Sequence, residues 1–339
     1  MNRDKVIGMF LGVAIGDALG TPVEYKTAAD IAATVGRLID YIDPSKHRWH
    51  GKLVTGDYTD DSVLSFAIAE SLIKMSGVDL DSLAQFQAAA MQSSPSGFGK
   101  STKDALNRII SGISWRESGT LGTNGNGIAM KIAPLAAYYW QKNRSADLTE
   151  ADNIQIAQQA AMTHRSDVAV MSGFVQIKSL IYCLEQNPES FSEADFQINI
   201  LNAMKLITEL SNWAGELSTP DDSLYYYRLS MIGTDWLKEM KITSSAELAE
   251  KFGGAKGNVV DSQPFSLLMF LRHPKSIETL YDTVNAGGDT DTNASMVGAL
   301  LGALNGTQIF PSHLINGLRQ KDYVLDLANR FCDRFGIKE

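Results

Sequence analysis

The chain has 339 residues, 44% hydrophobic and 20% charged, with 30 Lys+Arg against 39 Asp+Glu and a formal net charge of −9. That is ordinary globular composition with enough apolar material for a sizeable core. The acidic balance speaks against a general nucleic-acid binder, yet leaves room for a small phosphate ligand held by backbone amides or a metal. Two cysteines, Cys183 and Cys332, exclude a disulfide framework or a zinc cluster built from them alone. They read as reduced core residues of a cytoplasmic protein.

Helical periodicity dominates from the start. Val6, Ile7, Phe10, Leu11, Ala14 and Ala18 recur at helical spacing. Arg3 and Lys5 ahead of this apolar run resemble an export signal, but Asp4 and Asp17 argue against one, so the N-terminus reads as mature. Val63, Leu64, Ala67, Ile68 and Leu72 mark a second helix. Further helices are predicted over 79–92, 101–112, 127–142, 149–162, 167–186, 193–212, 245–252, 263–272, 275–285, 291–305 and 321–335. Residues 257–261 read as a short extended piece, and no alternating strands stand out. Loops fall near 40–58, 93–100, 113–126 and 214–223, the last polar around Thr219-Pro220-Asp221-Asp222 and read as mobile. No other apolar stretch reaches about 20 residues, so no membrane span is expected. No linker divides the chain, and the expectation is an all-α protein of one domain over 1–339.

Glycines fall every fourth residue at Gly8, Gly12, Gly16 and Gly20, and again at Gly298, Gly302 and Gly306. Glycine inside a helix costs up to about 1 kcal/mol relative to alanine, so such runs imply close backbone packing. The first and a late helix are therefore expected to be central.

Carboxylates concentrate in three places. Asp17 shares a helix face with Phe10, Val13 and Ala14, and Glu24 follows seven residues later; a carboxylate there must be paired, bonded or metal-bound. Capping of the turn at Gly20-Thr21-Pro22 is the bland alternative for Asp17. Tyr58-Thr59-Asp60-Asp61-Ser62 leads into a helix; a cap explains one of its aspartates and two less well. Gly287-Gly288-Asp289-Thr290-Asp291-Thr292 alternates acids with hydroxyls at another helix start. Hydroxyl and carboxylate oxygens are hard ligands for Mg²⁺ or Mn²⁺, and no EF-hand spacing follows. Either string alone could be an acidic turn. Together, four carboxylates and two hydroxyls make the ligand inventory of a two-metal site.

Two glycine loops precede helices. Gly122 to Gly127, including Asn124, Gly125, Asn126 and Gly127, could offer amides to phosphate or be a plain flexible turn. Ser96 to Thr102 carries Phe98, which could stack on a base, and Gly99 and Ser101, the latter an alternative helix cap. His164 follows Thr163; a lone histidine is more often structural, and no triad partner is evident. His47, His50, His273 and His313 have no clear chemical setting.

The order of these strings carries a resemblance. GVAIGDALGTPVE at 12–24, YTDDS at 58–62, GFGKST at 97–102, GNGIAMKIAPLA at 125–136, Thr163-His164 and GGDTDTNASMVGALLGALNG at 287–306 closely resemble the ADP-ribosylglycohydrolase family. The resemblance implies an orthogonal helical bundle with a binuclear Mg²⁺ centre in a cleft. It implies Thr59, Asp60, Asp61, Asp289, Asp291 and Thr292 as metal ligands and the 125–127 loop as a diphosphate cradle. Phe98, Gly99, Ser101, Asn124 and His164 would line the ADP-ribose pocket, with Glu24 beside the metals. Lys131 stands where the family usually has arginine, and Asp261 where a glutamate is common.

The implied activity removes ADP-ribose from an ADP-ribosylated protein, with ADP-ribose as product, Glu24, Asp60, Asp61 and Asp291 as catalytic groups, and an arginine linkage slightly preferred. A non-catalytic binder of ADP-ribose is the rival from another class. A metal-dependent nucleotide hydrolase is a third reading.

Overall fold

The computed structural model describes residues 2–94, 97–143, 147–219, 223–232 and 235–339, without the side chains of 235–237. Ser96 and residues 220–222 of the polar loop read as mobile lie outside the described residues. The helices run in chain order as α1 Asn2–Gly20, α2 Ala28–Val35, α3 Asp60–Met75, α4 Leu80–Ser93, α5 Lys100–Ile110, α6 Trp115–Ser118 and α7 Ala133–Asn143. They continue as α8 Glu150–Ala161, α9 Asp167–Glu185, α10 Glu193–Met204, α11 Leu210–Ala214, α12 Ser223–Met231 and α13 Asp235–Ile242. The last are α14 Ser245–Lys251, α15 Val259–Arg272, α16 Glu278–Asn285, α17 Thr290–Asn305, α18 Ser312–Gly317 and α19 Lys321–Phe335. Two short segments, β1 Thr120–Leu121 and β2 His164–Arg165, pair in parallel. The protein is all-α, and its buried apolar residues, from Val6 to Ile337, form one cluster.

The centre of the molecule is the antiparallel pair α1 and α17. Their glycines face each other with no room for a side chain. A Cβ on Gly12 would sit 2.0 Å from the carbonyl oxygen of Gly298, and one on Gly302 would sit 2.0 Å from that of Gly8. At the far end, a Cβ on Gly20 would reach 2.4 Å from the amide nitrogen of Asp291. The four-residue glycine period is thus a backbone-to-backbone seam, and its last contact lies at the second acidic string.

Three predicted elements differ in the structure. The helix expected over 127–142 begins as a 3-10 turn at Ala129–Lys131, and α7 proper starts at Ala133 with Pro134 in its first turn, where the missing N–H costs nothing. The helix expected over 193–212 breaks at Lys205 into a 3-10 stretch before α11. Of the extended piece expected over 257–261, Asn258 is extended and bridges Gly125, while 259–261 belong to α15, which Asn258 caps and which runs through Pro264. The proline leaves the carbonyl of Val260 without its helical donor, and the Arg228 guanidinium supplies one at 2.8 Å. Helices α2, α6, α12, α13 and α18, none longer than nine residues, are not among those expected from the sequence.

Two helical stretches, Asn2–Val23 and Asp167–Glu185, are long and apolar enough by length and composition to cross a membrane, one more than the sequence reading found. Both are mostly buried inside the molecule.

Candidate active site

Helices α3 and α17 end at the same place, with their N-termini facing a common cleft. What brings α3 there is Asp17 of α1. The carboxylate of Asp17 accepts from the Thr59 amide at 2.9 Å, the Thr59 hydroxyl at 2.8 Å, the Ser62 amide at 3.0 Å and the Ser62 hydroxyl at 2.7 Å. Thr59 occupies the N-cap position of α3 but makes no cap bond of its own. Asp17 therefore caps a helix that begins more than forty residues further on, and it also accepts from the Thr21 hydroxyl in the turn after α1 at 3.3 Å. Burial pushes its carboxyl up, and the hydroxyl and amide bonds pull it back down. With its oxygens committed in this way, Asp17 is an anchor and a poor metal ligand, although it lies within 4.8 Å of Asp61 and Asp291 oxygens.

Around that anchor the structure brings together Asp60 and Asp61 at the start of α3 and Asp289, Asp291 and Thr292 at the start of α17. All are at least 95% buried, with Asp60 and Thr292 the most open at 5% exposure. The Thr292 hydroxyl donates to Asp61 Oδ2 at 3.2 Å, while Asp61 Oδ1 is buried with no partner. Oxygens of Glu24, Asp289 and Asp291 also come within 4.8 Å of one another. Burial, followed by the neighbouring carboxylates, raises the Asp60 carboxyl to about 8 and holds those of Asp61 and Asp291 well above the ordinary range. Burial likewise raises Asp289, against the bond it accepts from Asn126 Nδ2 at 2.7 Å. So many buried acids, with a lone oxygen aimed inward, require positive charge. The helix N-termini of α3 and α17 supply only partial charges. Hard oxygen donors crowded in this way fit divalent cations such as Mg²⁺ or Mn²⁺.

Glu24 is held beside Asp289 and Asp291 by a short backbone pairing. Tyr25, with φ +59°, donates its amide to Gly288 O at 2.6 Å, and Gly288 donates to Lys26 O at 3.0 Å. A Cβ on Gly288 would sit 2.2 Å from Gly254 O, which is why the Gly287-Gly288 pair is needed. Glu24 Oε2 lies 2.5 Å from Nε2 of His50, a residue without an evident setting in the sequence. Burial first, then Asp289 and Asp17, raises the Glu24 carboxyl to about 9, and burial lowers His50. Burial thus disfavours the charged form of both partners. His47 stacks on His50 with ring centroids 4.6 Å apart. Its Nδ1 accepts from the Trp49 and His50 amides, so its Nε2 donates to Glu24 O at 3.0 Å and keeps no lone pair for a metal.

The rest of the cleft, a cavity of about 200 Å³, includes Gly99, Ser101, Gly125, Asn126, Gly127 and His164 in its lining. Gly125 and Gly127 press on the His164 ring; a Cβ on Gly127 would meet its Cε1 at 2.8 Å. His164 Nδ1 is 2.9 Å from the Thr163 hydroxyl, which accepts from Lys131 Nζ at 3.2 Å. That hydroxyl accepts from the lysine and keeps its own hydrogen for Nδ1, a pairing that would leave Nε2–H for the cleft. Burial lowers Lys131 to about 7, and burial then Lys131 lowers His164 to about 3. Lysine at position 131 thus orients His164 through Thr163. Asp261 instead pairs with Arg228, outside the acidic cluster.

Some expected site residues lie elsewhere. Asn124 does not line the cleft; its carbonyl accepts from the Val259 amide at 2.8 Å, tying the loop to α15. The Asn126 amide donates to Gly257 O at 3.1 Å, so one of the loop amides expected to face phosphate is already committed. Phe98 lines an outer vestibule and not the cleft with Gly125 to Gly127. Ser101 does not cap α5, whose N-cap position is Gly99. Asp17 as a cap for α3, the Glu24–His50 bond and the Lys131–Thr163 relay escaped the sequence reading.

Fold and site together define an all-helical protein with a carboxylate-lined cleft, able to hold metal ions, closed by its first and seventeenth helices. A profile of the ADP-ribosylglycohydrolase family matches residues 1–338, and the chain belongs to that family of glycosidase-type hydrolases. It is 26% identical over 339 residues to the ADP-ribosyl-[dinitrogen reductase] glycohydrolase of Rhodospirillum rubrum, covering 96% of this chain and 97% of that protein. It is 25% identical over 338 residues to the ADP-ribosylarginine hydrolase Tri1 of Serratia proteamaculans, covering 96% of this chain and 78% of the relative. The fold matches a solved ADP-ribosylglycohydrolase-related protein complex with a TM-score of 0.71 at 22% identity, over 98% of this chain and 99% of the other.

Proposed function

We propose that this ADP-ribosyl hydrolase releases ADP-ribose from an ADP-ribosylated protein, with an N-glycosidic arginine linkage the first to test. One observation carries the reading: Asp60, Asp289 and Asp291, from a buried cluster that also holds the unpartnered Asp61 Oδ1, line the same cleft as the Gly125–Gly127 loop and His164. Asp60, Asp61, Asp289 and Asp291, with the Thr59 and Thr292 hydroxyls, would hold two divalent cations, Mg²⁺ or Mn²⁺. Bound there, such ions supply charge neutralisation and an acidified water.

The chain's own groups do the rest. Gly125, Gly127 and His164 Nε2–H hold the diphosphate. Glu24, bonded to His50 and close to Asp289 and Asp291, gives a proton to the departing group as the glycosidic bond breaks and a water oxygen bonds to the anomeric carbon. Arginine is favoured because a relative matched over 96% of this chain is a named ADP-ribosylarginine hydrolase. Buried, unpaired Cys183 and Cys332 suit a reducing cytoplasm.

The test is release of free ADP-ribose from arginine- and serine-ADP-ribosylated proteins, with Mg²⁺ or EDTA. Release from the arginine conjugate, abolished by EDTA and by Asp60→Ala or Asp291→Ala, is expected. Full activity in either variant would sink the ligand assignment, and release from serine alone would replace the linkage.

A further inference from the structure

The cleft has a second mouth. Beyond Glu24 and Tyr25 lies a vestibule of about 550 Å³, whose lining includes Arg48, Trp49, Gly99 and Lys103. It shares Glu24, Tyr25, Gly97 and Gly99 with the inner cleft, so the two spaces meet beside Glu24. On the proposed function, the inner cleft holds ADP-ribose along Gly125 to Gly127, and the vestibule is left for whatever is attached to the sugar.

The chemistry of this vestibule runs against that of the molecule. The chain carries a net charge of −9, yet the stretch 44–53 holds Lys46, Arg48 and Lys52 and no acid. Arg48 and Lys103 are exposed and make no ion pair among the described residues. The charges around them are accounted for: Lys100 is paired with Asp104, and Asp43 is bonded to Ser45. Two aromatic rings stand at the same mouth, Trp49 at 50% exposure and Tyr25 at 46%. They are not loose. Trp49 packs edge-on against Tyr25 at 5.3 Å and against His47 at 5.6 Å, and the Arg48 guanidinium lies 5.5 Å from its ring. Half-exposed aromatics fixed in place and rimmed by unpaired cations are the surface from which a peptide contact is built.

We infer that the vestibule binds an acidic polypeptide segment flanking the modified residue, with Arg48 and Lys103 pairing its carboxylates and Trp49 covering its backbone. A nucleic-acid strand is the less favoured occupant, since the remaining acidic surface repels an extended phosphate chain. The inference rests on the proposed function and narrows its substrate to modified sites in acidic surroundings.

The experiment uses one set of fluorescent peptides with the same ADP-ribosylated residue, flanked by acidic, neutral or basic residues, plus unmodified counterparts and an ADP-ribosylated oligonucleotide. Equilibrium binding is read by fluorescence anisotropy, and ADP-ribose release with Mg²⁺ is followed alongside. The acidic modified peptide is expected to bind on the order of tenfold more tightly than the basic one, the scale of two modest ion pairs, with the gap shrinking as salt rises. Arg48→Glu combined with Lys103→Glu should erase or invert that ratio. Equal binding of the three modified peptides, or an acidic preference that survives the double variant, overturns the inference while leaving the hydrolase reading intact. Tighter binding of the oligonucleotide than of the acidic peptide overturns it in favour of a nucleic-acid acceptor. No advantage of modified over unmodified peptides, with no release, overturns the function reading and the inference with it.

Discussion

At the scale of single residues, Asp17 does the most. It sits among apolar neighbours on α1, yet its carboxylate satisfies the amides and hydroxyls of both Thr59 and Ser62. The Thr59 hydroxyl donates its hydrogen to Asp17, which leaves it an acceptor for any further partner. Replacing Asp17 with asparagine puts two N–H donors against a set of donors. Asp17→Asn is expected to cost on the order of 2–4 kcal/mol in urea denaturation, because buried donors lose their acceptor. It should also weaken divalent-cation binding, read by titration calorimetry, since α3 is then no longer fixed. A variant as stable as the parent would show that the bonds to α3 contribute nothing net.

At the scale of elements, the glycine seam between α1 and α17 sets the spacing of the acids. Gly298→Ala would bring a methyl to 2.1 Å from Gly12 O, where only backbone can give way. The expected loss is about 1–3 kcal/mol, as for other overpacked cores, with a parallel loss of cation affinity. Gly99→Ala is the contrast: nothing lies within 4 Å of its Cβ and its φ of −63° suits any residue, so its denaturation midpoint should match the parent. Equal effects of the two changes would refute the seam as the spacer. The seam was legible in the sequence because a four-residue glycine period has few other physical explanations in an acid-bearing helix. The acidic strings at 60–61 and 289–291 were legible for a similar reason, since adjacent carboxylates at a helix start exceed what one cap needs. His50 was not, because 40–58 has no periodicity and its partner Glu24 lies 26 residues away. Nor was the start of α15, where Pro264 reads as a boundary until Arg228 is seen to take the place of its missing N–H.

At the scale of the whole molecule, the carboxylate cluster couples stability to pH and to cations. Asp60 at about 8 and Glu24 at about 9 are raised in the folded state. Over pH 6–8 the folded chain then binds more protons than the unfolded one, so stability falls as pH rises. The melting temperature of EDTA-treated protein is expected to decline across that window. Mg²⁺, by substituting for the protons, should flatten the decline; at one hundred times its dissociation constant a single site adds about 2.7 kcal/mol. A melting temperature that rises from pH 6 to 8 in EDTA, or is untouched by Mg²⁺, would contradict the reading.

The closure of α1 on α17 also fixes an order of events during synthesis. Asp60 and Asp61 leave the ribosome early, but their counterparts at 289 and 291 leave only near the end, and α1 has no glycine face to close against until then. The acidic cluster therefore forms late, since the bond from Thr292 to Asp61 spans 231 residues. A cation cannot act as a template for folding here. It can only latch a ring whose two ends have already met, and a chain truncated before residue 289 would retain its early helices while lacking any place to hold the ion.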